Sequence, residues 1–161
     1  MNVIQLRFAE HRKFETLVLQ KGKYYIGDIC YALGEEIYYK HWGDRFNFEN
    51  GLYDVDGKQF AVLSTAWGDG SYVSYHKNNR YVFPVDAGNI GMVDVALLDK
   101  SEEYLSTCGA IIEFDSDVVF SYDAGIISIC ADGVNISINT DSDEDDYDWN
   151  DGWDDEEEED E

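Results

Sequence analysis

The sequence predicts a mainly β domain: a β-rich α+β chain folded as an antiparallel sandwich or partly open barrel, with one or two short helices. Three observations predict it. Short runs rich in Val, Ile, Tyr and Phe recur along the chain, and such side chains fit a pleated, half-buried surface. Fourteen glycines and one proline punctuate those runs, as turns between strands require. The spacing of the runs is close to that of sandwiches and small barrels. With 161 residues, 44% hydrophobic and 15% aromatic, one domain is expected, with a core that needs no disulfide or metal staple.

Taken in order, "FETLVLQKGKYYIGDICYAL" reads as two strands with a turn at Lys21-Gly22, where glycine tolerates positive φ. "EEIYYKHWGDRF" is the best helix candidate. Ile37, Tyr38, His41 and Trp42 share one helical face, and Gly43 is placed to stop it. "GLYDVDGKQFAVLSTAW" is a strand pair around Asp56-Gly57, a strong hairpin signal. "GSYVSYHKNNRYVFPV" is a second pair, with Lys77-Asn78-Asn79 at its tip. "NIGMVDVALLD" gives a strand and "KSEEYLS" a turn or short helix. "GAIIEFDSDVVFSYDAGIISICADGVNISINT" then gives up to four strands, broken near Asp115-Ser116, Asp123-Ala124-Gly125 and Asp132-Gly133. The total expected is about eight to ten strands.

After Thr140 the apolar periodicity ends. The last 21 residues, "DSDEDDYDWNDGWDDEEEEDE", hold fifteen acids and no Lys or Arg. Such a segment buries too little apolar surface to offset its chain entropy. The expected organisation is a globular domain over 1–140 and a disordered acidic tail over 141–161.

The net charge is −24, from 35 acids and 11 bases. The tail carries −15, so residues 1–140, with 20 acids and all 11 bases, carry −9. That balance argues against direct binding of nucleic acid or of an anionic membrane, because phosphates are repelled. It suits basic partners, above all the phosphate-binding face of a nucleic-acid-binding protein. Plain solubility is the competing reading of the charge. The three cysteines, Cys30, Cys108 and Cys130, form no Cys-x-x-Cys pair. This points to free thiols rather than a disulfide framework or a zinc knuckle. The N-terminal stretch has no long apolar run of a signal peptide, and no stretch has the length of a membrane span. A cytoplasmic protein is expected.

Three segments carry a resemblance. "KGKYYIGDICYAL" holds Tyr24, Ile26, Gly27, Asp28, Cys30 and Tyr31; "STAWGDGSY" holds Gly68, Asp69, Gly70 and Tyr72; "FPVDAGNIGMVDVALL" holds Val85, Asp86, Ala87, Gly88, Ile90 and Gly91. Together they resemble a family of small uncharacterised phage and bacterial proteins. The chain departs at Ile29, where the family often has proline. The resemblance spans most of residues 21–98 and implies a β-rich domain and a frequent phage context, hence host cytoplasm. It implies no established activity and leaves the role of the motif residues open.

Asp28, Asp69 and Asp86 each neighbour glycine or a small residue at an expected strand end. If they meet, their carboxylates can bind a divalent cation or position a water for hydrolysis. Alternatively, each caps its own turn through backbone N–H groups. The histidines, His11, His41 and His76, show no metal-ligand spacing. A Cys30–His nucleophilic pair has no support from spacing, and no nucleophile elbow or phosphate loop is present. In the tail, Asp146, Asp148 and Asn150 fit the first calcium-loop positions, but Asp151 stands where the loop needs glycine. No cofactor, metal or catalytic residue is assigned.

The tail also interleaves aromatics with its acids. Carboxylates imitate a phosphate chain, while Trp and Tyr stack or form cation–π contacts with Arg. The candidate partner contacts are Asp143, Glu144, Asp145, Asp146, Tyr147, Asp148, Trp149, Trp153, Asp154 and Asp155. The leading functional expectation is a non-enzymatic acidic interaction protein. It would inhibit a basic nucleic-acid-binding host protein (RNA polymerase, nuclease or chromatin protein) by DNA-like charge mimicry. The alternatives are a small metal-binding domain or hydrolase built on the three aspartates, or a virion or assembly component.

Overall fold

A computed structural model of the chain describes residues 2–9, 14–66, 69–77, 79–86 and 88–140. The fold is mainly β and antiparallel, as the sequence predicts. The described strands number twelve rather than eight to ten: β1 Val3–Phe8, β2 Phe14–Leu19, β3 Gly22–Gly27, β4 Gly51–Val55, β5 Lys58–Ser64, β6 Gly70–His76, β7 Asn79–Val85, β8 Asn89–Asp94, β9 Gly109–Phe114, β10 Val118–Asp123, β11 Ile126–Ala131 and β12 Val134–Asn139.

Six strands form one sheet in the order β1-β4-β5-β8-β3-β9, and four form a second in the order β12-β11-β10-β2. The β6–β7 hairpin stands between them. Ser74 Oγ of β6 donates to the Ser137 carbonyl of β12 at 2.7 Å, and β7 runs beside β9. The described strands form no closed barrel.

The six-stranded sheet is buried on both faces, and the two-residue period of its strands sorts side chains into two cores. Tyr24, Ile26, Ala61, Leu63, Ile90 and Met92 point one way, against Leu17, Leu19, Phe120, Ile127, Ile129, Ile136 and Ile138 of the four-stranded sheet. Tyr25, Tyr53, Phe60, Val62 and Val93 point the other way, against Ile29, Leu33, Ile37, Trp42 and Leu105 of the helical segments. Those segments are a 3-10 turn at Ile29–Tyr31, a π-helix at Glu36–Gly43 and the α-helix α1 at Glu102–Leu105. Ser101 caps α1 by accepting the Tyr104 N–H at 3.1 Å. Within the second core, Tyr53 stacks on Phe60 with centroids 4.8 Å apart and planes 12° from parallel.

The Asp56-Gly57 hairpin forms as expected: Val55 pairs with Lys58 across a two-residue turn, with φ of 52° and 93° at Asp56 and Gly57. Other expectations need correction. Lys21-Gly22 is no hairpin. β2 pairs with β10 and β3 with β8 and β9, so these two residues carry the chain from one sheet to the other. Gly22 does carry the expected positive φ, 157°, but as the first residue of β3 rather than in a hairpin turn, and Lys21 N–H is held by Asp117 Oδ1 at 3.1 Å. β1 is absent from the sequence reading; Ile4, Leu6 and Phe8 do alternate with polar residues, but they are exposed, and the register shifts between Gln5 and Arg7. The helix expected near residues 35–46 is present, but as a π-helix. Gly43 ends it without a left-handed φ. A Cβ at Gly43 would lie 2.6 Å from the Phe48 ring, so packing demands the glycine.

Candidate functional site

Two of the three sequence motifs are tied together directly. β3 ends at Gly27, and Asp28 then opens the 3-10 turn. One Asp28 carboxylate oxygen accepts the Cys30 N–H at 2.9 Å, and the other accepts the Asp86 N–H at 2.6 Å. Asp28 is fully buried, so its charge is met by backbone dipoles rather than by water. The Tyr31 hydroxyl donates to the Asp86 carboxylate. The Tyr25 hydroxyl donates to the Asp28 carbonyl at 3.1 Å, and Asn89 Oδ1 accepts the Ile29 N–H at 3.4 Å. The first motif is thereby clamped to the third.

The second motif joins through strand pairing, since Gly70 lies opposite Val85. Gly68 and Ala87 lie outside the described residues. Gly88 turns the chain into β8 with a φ of 74°, a left-handed value that favours glycine, and its carbonyl accepts the Thr65 N–H at 3.0 Å. Asp69 is exposed. Among the described residues, no group of three or more His, Cys, Asp or Glu side chains is arranged to hold a metal ion. Asp28 serves as an internal clamp, beyond the single-turn cap that its sequence context suggests.

Cys30 lies beside this clamp. Burial, its bond with Asp28 and the charges of Asp28 and Asp86 push its thiol up to about 12. A thiol held in that state is a poor nucleophile. Burial and the bond to Asp86 also push the Tyr31 hydroxyl up. His41 faces Arg45, 3.3 Å from its Nη1, and Glu36 at 3.8 Å. His11 lies outside the described residues.

The same end of the molecule carries a feature that sequence reasoning missed. Tyr38, Tyr39, Trp42, Phe48, Asn50, Ser64 and Asn89 line a cavity of about 330 Å³. It adjoins the motif clamp because Asn89 opens β8 and pairs with Ser64. The sequence signal was the density of aromatics in "YYKHWGDRFNF", five in eleven residues. Helical periodicity alone assigned Tyr38 and Trp42 to a core face.

The opposite end of the two sheets is acidic. Strand register places Asp54, Asp56, Asp94, Glu113, Asp115, Asp117 and Asp132 there, with Lys21, Lys23 and Lys58 as bases. Several of these carboxylates are fixed by backbone N–H groups. Asp54 holds Gly57 at 2.9 Å, Asp56 holds Asn2 at 3.1 Å, Asp94 holds Ala96 at 2.9 Å and Asp117 holds Lys21 at 3.1 Å. Lys23 is engaged by Glu102 at 2.8 Å.

Thr140 ends the described chain at the motif end. Its side chain accepts the Ala66 N–H at 3.0 Å, and its backbone N–H reaches the Gly125 carbonyl at 2.8 Å. The expected tail contacts Asp143, Glu144, Asp145, Asp146, Tyr147, Asp148, Trp149, Trp153, Asp154 and Asp155 lie outside the described residues. No helix among the described residues is long and apolar enough to cross a membrane. Comparison with protein-family models, with curated proteins and with solved structures finds no match to this chain.

Proposed function

We propose that this protein is a non-enzymatic acidic interaction protein that occupies the Lys/Arg-rich, phosphate-binding face of a nucleic-acid-binding protein and so inhibits it. The observation that carries the reading is the acidic end of the sheets, where carboxylates are fixed by hydrogen bonds from backbone N–H groups. Charges held in place lose little freedom on binding, so they imitate a phosphate array at lower entropic cost than mobile side chains. The −15 of residues 141–161 adds to the −9 of the rest and steers a basic partner from a distance. The use of Asp28 as an internal clamp and the raised Cys30 thiol also favour a binding role over catalysis.

The test is competition. A Lys/Arg-rich DNA-binding protein is loaded with labelled duplex DNA and titrated with the full chain at low and high salt. The expected result is displacement of DNA at low salt that weakens steeply as salt rises. Absence of displacement at low salt, across several such proteins, would overturn the reading. Affinity purification followed by mass spectrometry, using the full chain and a chain ending at Thr140, then identifies the partner and apportions the two acidic parts.

A further inference from the structure

The aromatic cavity is built at a conformational cost. A π-helix is rare, and where it occurs it is often at a functional position. Here it supplies Tyr38, Tyr39 and Trp42. The loop that follows holds two consecutive non-glycine residues in the left-handed region, Asn47 at φ 55° and Phe48 at φ 56°. Bulky residues seldom adopt that conformation, and such strain persists where the surrounding structure enforces it. Its effect is to turn the Phe48 ring over Gly43 and against Trp42.

The rings form walls rather than a flat platform. Tyr38 meets Trp42 at 74° with centroids 5.2 Å apart, and Trp42 meets Phe48 at 89° and 5.1 Å. Tyr39 meets Tyr38 at 65° and 4.8 Å. Asn50, Ser64 and Asn89 supply the polar part of the lining. Trp42 Nε1 donates to the Glu49 carbonyl at 2.8 Å and the indole is buried, so it backs the cavity and offers it no donor. Tyr39 and Phe48 remain about half exposed, at 57% and 46%.

We propose that this cavity is an aromatic cage for an arginine side chain of the basic partner. The half-exposed rings of Tyr39 and Phe48 lie on one concave lining and offer π-surface to a cation. Asn89 Oδ1 is taken by the Ile29 N–H and Ser64 Oγ accepts Asn50 Nδ2 at 2.9 Å, which orients the Asn50 amide oxygen as the acceptor for an in-plane N–H of a guanidinium. The choice of a cation rests on the charge reading given above, because a chain of net charge −24 concentrates cations at its surface. The same chemistry occurs within the chain, where the Arg45 guanidinium lies 5.0 Å from the Phe46 ring centroid.

The test uses the full-length protein and amide NMR spectra. It is titrated with N-acetyl-arginine amide, with the neutral citrulline isostere, and with a peptide of alternating glycine and arginine. The expected result is saturable movement of the Trp42 indole and the Phe48 and Asn89 amide signals with the arginine amide. Citrulline should bind at least tenfold more weakly. Tyr39→Ala, at a largely exposed position, should weaken the arginine amide at least fivefold while the rest of the spectrum is unchanged. Equal binding of citrulline, or no movement of cavity signals, would overturn the cage. If the peptide binds in a salt-dependent way without moving those signals, the cage fails and the charge reading survives. If the amide binds in the cavity but no basic peptide or protein binds, the cage stands and the charge reading fails.

Discussion

The Asp28 carboxylate accepts the backbone N–H of Asp86 at 2.6 Å across 58 residues of sequence, and the Asp86 carboxylate in turn takes the Tyr31 hydroxyl. Each aspartate thus secures the segment that carries the other. Asp28→Asn places an amide donor against N–H donors and removes the charge from both bonds. The expected loss is about 1.5–3 kcal/mol of unfolding free energy, read from urea denaturation. Tyr31→Phe should cost about 1 kcal/mol. A loss below about 0.5 kcal/mol for Asp28→Asn would show that the clamp contributes little.

Alkaline pH should loosen the fold. The Cys30 thiol is pushed up to about 12 from an ordinary 9.0, chiefly by burial, and burial pushes Tyr38 up to about 12 from 10.0. In the native state both groups keep their protons at pH values where the unfolded chain has lost them. Their contribution is therefore complete below about pH 9 and is lost as pH rises towards about 12. Urea midpoints measured across that window should fall steadily. In parallel, Cys30 at about pH 8 should alkylate far more slowly in the native protein than in denaturant, as followed by site-resolved mass spectrometry.

Glycine substitutions should separate crowding from backbone strain. A Cβ at Gly91 would collide with Ile29 Cγ2 and approach the Ala61 carbonyl oxygen to 2.5 Å. Gly91→Ala is expected to cost about 1–3 kcal/mol through overpacking. Gly57 has open space around it but a φ of 93°, so Gly57→Ala should cost about 1 kcal/mol through conformation alone. Ala124, at φ 50° in the two-residue turn between β10 and β11, gives the opposite sign. Ala124→Asn should stabilise by a few tenths to about 1 kcal/mol, visible as a rise in Tm.

Thr140 is fully buried and bonds both the 66 and 125 loops. A chain ending at Thr140 should therefore melt close to the full-length protein. A chain ending at Asn139 strips the Ala66 N–H of its partner and should lose about 1–3 kcal/mol. Equal melting of the two shortened chains would show that the contact is dispensable.

The legible parts of the fold were those where local chemistry decides. Asp56-Gly57 specified its hairpin, and "KSEEYLS" read as a turn or short helix where α1 stands. Sheet membership was not legible: nothing local to Lys21-Gly22 says that the strands on either side enter different sheets. The clamp was half legible. The motif aspartates pointed to turn ends, but bonding between Asp28 and Asp86 depends on where β7 and β3 finish. The aromatic cavity escaped a helical reading because a π-helix shifts the side-chain period, and because the left-handed φ of Phe48 has no cue in a bulky residue.

The crossing at Lys21-Gly22 also sets an order of assembly. β1 and β3 lie in the sheet that includes β4 and β5, yet β2 between them pairs with β10, Leu19 lying opposite Val118. During synthesis β2 has no strand to join until residues 118–123 have emerged. The four-stranded sheet therefore closes late, over a long loop whose entropy must be lost before its contacts form, and slow folding follows. Until then the buried face of Leu17 and Leu19 is open to water, and the nascent chain depends on that interval being short or protected.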